Sequence, residues 1–233
     1  MEAKKVSVER GWGWIQDGWE LFMKNPGVWV LMALIYAVIM IVLSFVQLLG
    51  ALAIGLLGTM LSGGMIYGAA KLDGGGTLEI GHLFQAFRDS SRTGPMLILG
   101  CISLVGNLLM AVLNKAFIAG PLMGAGMAGS GDVMQFGVAA LLGLLLMLLV
   151  TAFLAVLLFY AIPLVMLENV EPFQAVKDGI MGCLRNWLPL LVLGLILTLL
   201  TMLAMLPFGL GLLILGPVMV GAWYRSYKEL YAG

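Results

Sequence analysis

Charged residues are scarce in this chain. Only 10% of its 233 residues are Asp, Glu, Lys or Arg, whereas soluble domains carry about 25%. The formal net charge is zero, so no basic field points to nucleic acid as a partner. With 62% hydrophobic residues and a mean hydropathy of +1.08, the chain has more apolar surface than a water-soluble globule of this size can bury. The composition therefore predicts an integral membrane protein.

Signatures of catalysis and of metal binding are also lacking. Cys101 and Cys183 are far apart and His82 is the only histidine, so the sequence predicts neither a metal site nor a disulfide framework. No dinucleotide fingerprint or nucleophile elbow is present, and DGGGT at 73–77 lacks the lysine of a phosphate-binding loop. We expect no cofactor and no enzymatic activity.

Long apolar runs are what the chain does contain. Six of them approach the length of about 20 residues that a transmembrane helix needs, and they cover residues 27–49, 51–72, 95–118, 136–167, 187–206 and 208–224. Away from their ends these runs hold no ionisable residue, which argues against an ion-coupled transporter. Asn107 lies near the middle of the third run. It is a candidate polar contact in the core, through an interhelical hydrogen bond or through contact with a substrate.

The basic residues are distributed unevenly between the two ends of these runs. Eleven of the twelve Lys and Arg lie on one side of a six-span topology, and only Lys115 lies on the other. By the positive-inside rule, both termini are predicted to be cytoplasmic. The connection at 119–135, on the opposite side, is rich in glycine. It is expected to form either a flexible outer loop or a shallow re-entrant segment.

Amphipathic helices are predicted directly before the first, third and fifth runs. In each, apolar residues recur every three or four positions. The three stripes are Val8, Trp12, Ile15, Trp19 and Phe22; Ile80, Leu83, Phe84 and Phe87; and Phe173, Val176, Ile180, Cys183 and Trp187. Such helices lie in the plane of the membrane surface. The candidate interfacial anchors are therefore Trp12, Trp19, Phe22, Phe173 and Trp187, with Arg185 as a residue that can snorkel to the headgroups.

The sequence around these helices is repeated. QDGWELFMKNPGVWVL at 16–31 aligns with KDGIMGCLRNWLPLLV at 177–192, and FQAFRD at 84–89 shares four of six residues with FQAVKD at 173–178. Chance similarity of span ends is the alternative, mainly for the middle unit. We predict an all-α polytopic membrane bundle of six transmembrane helices in three hairpins, each preceded by a cytoplasmic-face amphipathic helix. The units are 7–72, 77–167 and 171–231 of a single domain, 1–233.

Three stretches carry a resemblance to a known family. They are GWGWIQDGWELFMKNPGVW at 11–29, CLRNWLPLL at 183–191 and LPFGLGLLILGPVMVGAWYRSYKELY at 206–231. The chain resembles an uncharacterised family of bacterial six-span inner-membrane proteins over nearly its whole length. It is more distantly similar to the membrane domain of glycerophosphodiester phosphodiesterases. The resemblance implies an inner-membrane location but no activity and no site residues. The sequence has no counterpart of the soluble catalytic domain, so we expect no phosphodiesterase activity.

Two hypotheses for function follow. The first is a non-enzymatic inner-membrane protein that acts as an accessory subunit or scaffold, with membrane lipids and a membrane-protein partner or a second copy of the chain as its partners. The second is binding or transport of a lipid or another apolar small molecule within or across the inner membrane. The two hypotheses predict different interiors for the helix bundle. A lipid-handling protein needs a cavity lined by Met, Leu and Phe, whereas a scaffold should be packed shut.

Overall fold

The computed structural model describes residues 2–119 and 133–232, without the side chains of residues 47–49, 51 and 133–136. Most of the glycine-rich connection predicted at 119–135 lies outside these residues. The described secondary structure is helical and contains no strand, which confirms the all-α class. The helices are α1 (Arg10–Met23), α2 (Pro26–Ser44), α3 (Gln47–Asp73), α4 (Gln85–Arg88), α5 (Ser90–Asn114), α6 (Val133–Leu158), α7 (Ala161–Glu168), α8 (Pro172–Arg185), α9 (Trp187–Met205) and α10 (Leu212–Tyr227).

Five helical segments of the described chain are long and apolar enough to cross a membrane, which is compatible with a membrane protein. They are Pro26–Ser44, Leu52–Asp73, Ser90–Ala119, Gly137–Glu168 and Trp187–Met205. The sixth predicted run forms the shorter α10, because turns around Phe208 and Gly209 occupy its first residues. At 1.5 Å per residue, the 16 residues of α10 extend about 24 Å, against a hydrocarbon core of about 30 Å.

Capping residues explain why the helices begin at these positions. The Asn25 side chain accepts a hydrogen bond from the backbone N–H of Val28, and Pro26 occupies the first helical position of α2. Asp89 caps α5 in the same way through the N–H of Ser91. The chain therefore turns from α1 into α2 over two residues, Lys24 and Asn25.

Asn186, the counterpart of Asn25 in the repeat, has a different role. Its side-chain oxygen accepts a hydrogen bond from the backbone N–H of Val6 at 2.9 Å, and its amide donates to the carbonyl of Lys4 at 2.9 Å. It is almost fully buried. Asn186 therefore fixes the N-terminal segment against the junction of α8 and α9.

The face that α1 buries differs from the predicted stripe. Its buried residues are Gly11, Trp14, Ile15, Gly18, Leu21 and Phe22. Ile15 and Phe22 belong to the predicted stripe, but Trp12 and Trp19 are 49% and 48% exposed. Only part of the predicted stripe therefore packs on the bundle, because α1 packs against α9 and α10 through a face that is centred on its small residues.

Glycines set the crossing of α1 and α10. A β-carbon added at Gly221 would lie 2.9 Å from the Cα of Gly18, and one added at Gly18 would lie 2.5 Å from the carbonyl oxygen of Val218. Any larger side chain at this point would push the two backbones apart. The crossing therefore depends on two residues separated by most of the chain.

The amphipathic segments pack in a cyclic order. The segment formed by the 3-10 helix Ile80–Phe84 and α4 packs on α3, and α8 packs on α7. Each of these segments thus contacts the helix that directly precedes it in the chain. The first amphipathic helix, α1, packs instead on α10, far along the chain. Consecutive long helices α2 and α3, α5 and α6, and α9 and α10 also contact each other.

Polar contacts fasten the two ends of the described chain together. The N–H of Lys4 donates to the carbonyl of Leu230 at 2.9 Å. The Glu229 carboxylate accepts hydrogen bonds from Arg10 at 2.9 Å and from the indole of Trp14 at 2.6 Å. The largest fully buried side chains of the core include Trp14. The N-terminal segment and α1 are therefore held to the C-terminal end of the described chain by both packing and charge.

Candidate functional site

A cavity of about 760 Å³ lies between the long helices. It is partly open rather than fully enclosed. Seven helices line it, and representative residues are Ala33 of α2, Met65 of α3, Asn107 of α5, Leu154 of α6, Ile162 of α7, Leu197 of α9 and Val220 of α10. Ala33 lies about 10 Å along the helix axis from the start of α2 at Pro26. Val220 lies about 10 Å from the end of α10 at Tyr227. The cavity is therefore set within the apolar part of the bundle.

The lining of this cavity is apolar with a few polar groups. Two of them have partners close by: Ser62 donates to the carbonyl of Thr59 at 2.9 Å, and Thr151 contacts the sulfur of Met110 at 3.9 Å. The Asn107 side chain also lines the cavity, and among the described residues it has no hydrogen-bond partner. The predicted polar residue of the third run therefore presents an unused amide to the cavity rather than joining two helices.

A proline explains how one end of the cavity is built. Pro163 lacks an N–H, so it cannot donate to the carbonyl of Phe159, four residues earlier in the chain. The chain breaks between α6 and α7 at this point. The indole N–H of Trp223, a lining residue from α10, donates to that carbonyl at 2.5 Å. Sequence reasoning missed this contact, although a proline within an apolar run signals an unpaired carbonyl.

A second apolar groove, of about 620 Å³, lies between α5 and α6. It contains Phe173, a predicted interfacial anchor, together with exposed side chains such as Val105 and Phe153. Leu154 lines both this groove and the central cavity. A β-carbon added at Gly106 would collide with the Leu154 side chain, so Leu154 sits in a notch that this glycine provides. Leu154 is therefore a shared wall between the two spaces.

The structure places the remaining predicted anchors in different surroundings. Phe173 and Trp187 are exposed, whereas Phe22 is 5% exposed and belongs to the core. Arg185 forms an ion pair with Glu2 at 2.7 Å. Phe22 is thus a packing residue rather than a surface anchor, because α1 turns that side toward the bundle.

Trp12 and Trp19 flank a further groove, formed by α1, α9 and α10 and lined also by Leu200 and Ile214. Its volume is about 630 Å³. Both indoles are half-exposed beside it. Of the predicted site residues, Trp12 and Trp19 therefore border the same groove, whereas Asn107 lines the central cavity.

The side chains that are best suited to catalysis are poorly placed for it. Burial raises the pKa of the Cys183 thiol to about 12, which leaves little thiolate at neutral pH. Partial burial is the main cause of a lowered pKa at His82, and nearby Lys71 and Arg88 lower it further against the opposing effect of Glu79. Within the described residues, no group of three or more His, Cys, Asp or Glu is arranged to hold a metal ion.

Comparison of the chain with protein-family models, with curated proteins and with solved structures gives no match. The resemblance to a bacterial six-span family therefore stays a prediction. Function is inferred from the geometry of this chain alone.

Proposed function

We propose that this chain is a multi-pass protein of the bacterial inner membrane whose central cavity binds the apolar part of a lipid or another apolar small molecule. The cavity of about 760 Å³ carries the proposal. Its volume lies within the range of about 300–1,000 Å³ that is common for small-molecule sites. Of the two hypotheses drawn from the sequence, the cavity favours the second, because a scaffold packed shut does not need such a space.

The polar group in the cavity supports selective binding. An acyl chain gains little hydrophobic free energy on moving from a bilayer into an apolar cavity, because lipid tails are as apolar as leucine. Discrimination must then come from shape and from hydrogen bonds. The unused amide of Asn107 offers both a donor and acceptors. We therefore expect a ligand whose apolar body carries an oxygen or nitrogen atom.

The topology that accompanies this proposal has six spans in three hairpins, with both termini cytoplasmic. The asymmetry of Lys and Arg supports the orientation. The cyclic packing of the three amphipathic segments supports the division into three units. As the sixth span, α10 is short for an average bilayer, which local thinning accommodates. Absence of enzymatic activity remains a prediction.

Native mass spectrometry of the full chain, released gently from its own membrane, tests the proposal. We expect a fraction of the protein to carry a defined lipid or apolar molecule. Ala155 lines the cavity, and Ala155→Phe should fill part of that space and remove the adduct. Ala152 is an exposed residue of the same helix that does not line the cavity, so Ala152→Phe is the matched control.

Two results would contradict the cavity proposal. One is a well-folded protein that carries no adduct. The other is equal loss of the adduct in the Ala155→Phe and Ala152→Phe proteins, which would place the bound molecule on the outer surface. Asn107→Leu keeps the size of the side chain but removes its amide, and it should weaken binding without lowering the thermal stability.

The accessory-subunit hypothesis is the second candidate, and one observation favours it. The exposed indoles of Trp12 and Trp19 border a groove at the surface of α1, α9 and α10. Exposed aromatic residues beside a groove are common at protein interfaces. A stoichiometric protein partner in the same mass spectra, lost in the Trp12→Ala/Trp19→Ala variant, would support this function; a partner retained by that variant would speak against this surface.

A further inference from the structure

Asp73, the last residue of α3, is surrounded by cations. Its carboxylate lies 2.7 Å from a guanidinium nitrogen of Arg225, 2.6 Å from the ammonium of Lys228 and 4.0 Å from the ammonium of Lys24. The hydroxyl of Tyr224 donates a further hydrogen bond at 3.2 Å. The Asp73 side chain is only 6% exposed. Residues from three separate parts of the chain thus meet at one carboxylate.

The cations at this site exceed what Asp73 can neutralise. One carboxylate faces three positive side chains, which leaves a local excess of two positive charges. Among the described residues, the three cations form no ion pair within 4 Å with a carboxylate other than Asp73, and Glu229 pairs with Arg10 instead. Glu20 lies four residues before Lys24, but within the described part of the chain it forms no ion pair with it inside 4 Å. The excess charge is therefore local and uncompensated.

The two lysines keep free bonding capacity. Lys24 and Lys228 are 46% and 45% exposed, whereas Arg225 is mostly covered and is held by Asp73. The site thus consists of the mostly covered Asp73–Arg225 ion pair and of two lysines, Lys24 and Lys228, that extend from it toward the surface. Each ammonium has three donors, of which Asp73 occupies one at Lys228.

The position of the cluster suits a phosphate group. It lies where α1 passes into α2, where α3 ends and where α10 ends. On the proposed topology, these helix ends lie at the cytoplasmic boundary of the membrane, at the depth of lipid phosphates. Basic pockets between helices at that boundary bind anionic headgroups. Asp73 tethers the cations, so less conformational freedom is lost when they bind an anion.

We infer that Lys24, Lys228 and Arg225 form a phosphate-binding site seated on Asp73, which takes the headgroup of an anionic phospholipid or a free phosphate group from the cytoplasm. This site is separate from the central cavity. It uses the outward ends of the same helices, and its occupation does not require the cavity to be filled.

Nanodiscs that contain equal amounts of phosphatidylglycerol and phosphatidylcholine provide the test. The full chain is ejected from them and its retained lipids are counted by native mass spectrometry. We expect phosphatidylglycerol to be retained preferentially. Lys24→Gln/Lys228→Gln leaves the Asp73–Arg225 pair intact and should weaken that retention about tenfold or more, given the usual contribution of each cation near an anionic surface. Lys5→Gln/Lys177→Gln removes the same charge from two other exposed lysines and is the matched control.

Further measurements separate the source of the phosphate and the effect of folding. Lys24→Arg/Lys228→Arg keeps both charges and should restore retention, which a loss of fold would not allow. Displacement of the lipid by inorganic phosphate would show that the phosphate group alone is recognised, and no displacement would assign the site to the lipid. Equal retention of the two lipids, or equal losses in the Lys24/Lys228 and Lys5/Lys177 variants, would overturn the site. Neither result bears on the Ala155→Phe test of the cavity.

Discussion

At the residue scale, single side chains supply hydrogen bonds to backbone groups that have no partner within the helices. Pro163 leaves the carbonyl of Phe159 without its helical donor, and Trp223 provides one from a distant helix. Asn186 likewise hydrogen-bonds the backbone of the N-terminal segment, at the N–H of Val6 and the carbonyl of Lys4. In an apolar setting a missing hydrogen bond is costly, because no water replaces the lost partner. These few polar contacts therefore contribute more to the fold than their number suggests.

The contact between Trp223 and Phe159 leads to a double-mutant prediction. Trp223→Phe keeps an aromatic ring but leaves the Phe159 carbonyl unpaired, so the free energy of unfolding should fall by about 1–3 kcal/mol. Pro163→Ala supplies a backbone N–H within reach of the same carbonyl. In that background Trp223→Phe should cost much less. Thermal and denaturant unfolding of the four proteins in detergent measures the coupling, and additive effects would show that the carbonyl has no need of Trp223.

At the element scale, α1 behaves as a packed helix of the bundle rather than as a helix lying only on lipid. Its close contact with α10 runs through Gly18 and Gly221. Its exposed side carries Trp12 and Trp19. The helix is therefore two-sided: one face stabilises the bundle and the other is available to headgroups or to a partner.

The glycine crossing predicts a sharp contrast between two substitutions. Gly18→Leu should separate α1 from α10 and lower the free energy of unfolding by about 1–3 kcal/mol, with faster tryptic cleavage after Lys24. Gly194 lies in α9 with no atom within 4 Å of an added β-carbon, so Gly194→Leu should leave both measurements unchanged. If both variants melt like the unmodified protein, the close crossing does not stabilise α1.

Much of this element-level picture follows from the sequence. The apolar runs, the cap at Asn25 and the proline that begins α8 locate the helices, because these signals are local. The buried face of α1 does not follow from the sequence. The large Trp12 and Trp19 suggest that their side of the helix is buried, whereas the structure buries the side that carries the small Gly18. The surroundings of Asn107 and Asp73 were equally inaccessible, since their neighbours come from helices that are distant in sequence.

At the scale of the whole molecule, the proposed topology places successive connections on alternating sides of the membrane. Phe208 lies in the turn between α9 and α10, fully exposed, and Lys177 lies on the exposed face of α8. On the proposed topology these two positions are on opposite sides of the membrane. On that topology, the positive-inside rule leads us to expect Lys177 on the cytoplasmic side.

Cysteine labelling checks this topology. In a Cys101→Ser/Cys183→Ala background, Phe208→Cys should react with a membrane-impermeant maleimide applied to intact cells. Lys177→Cys should react only after the cells are opened. The opposite pattern would invert the topology, and labelling of both positions in intact cells would place them on one side.

The packing of α1 on α9 and α10 has a consequence for biosynthesis. The residues that cover the inner face of α1 belong to α9 and α10, and the ribosome makes them roughly 180–200 residues later, which at about 5–20 residues per second is a delay of some 10–40 s. During that time the face formed by Gly11, Trp14 and Gly18 has no partner. The packing of α1 is thus completed only after α9 and α10 have been made.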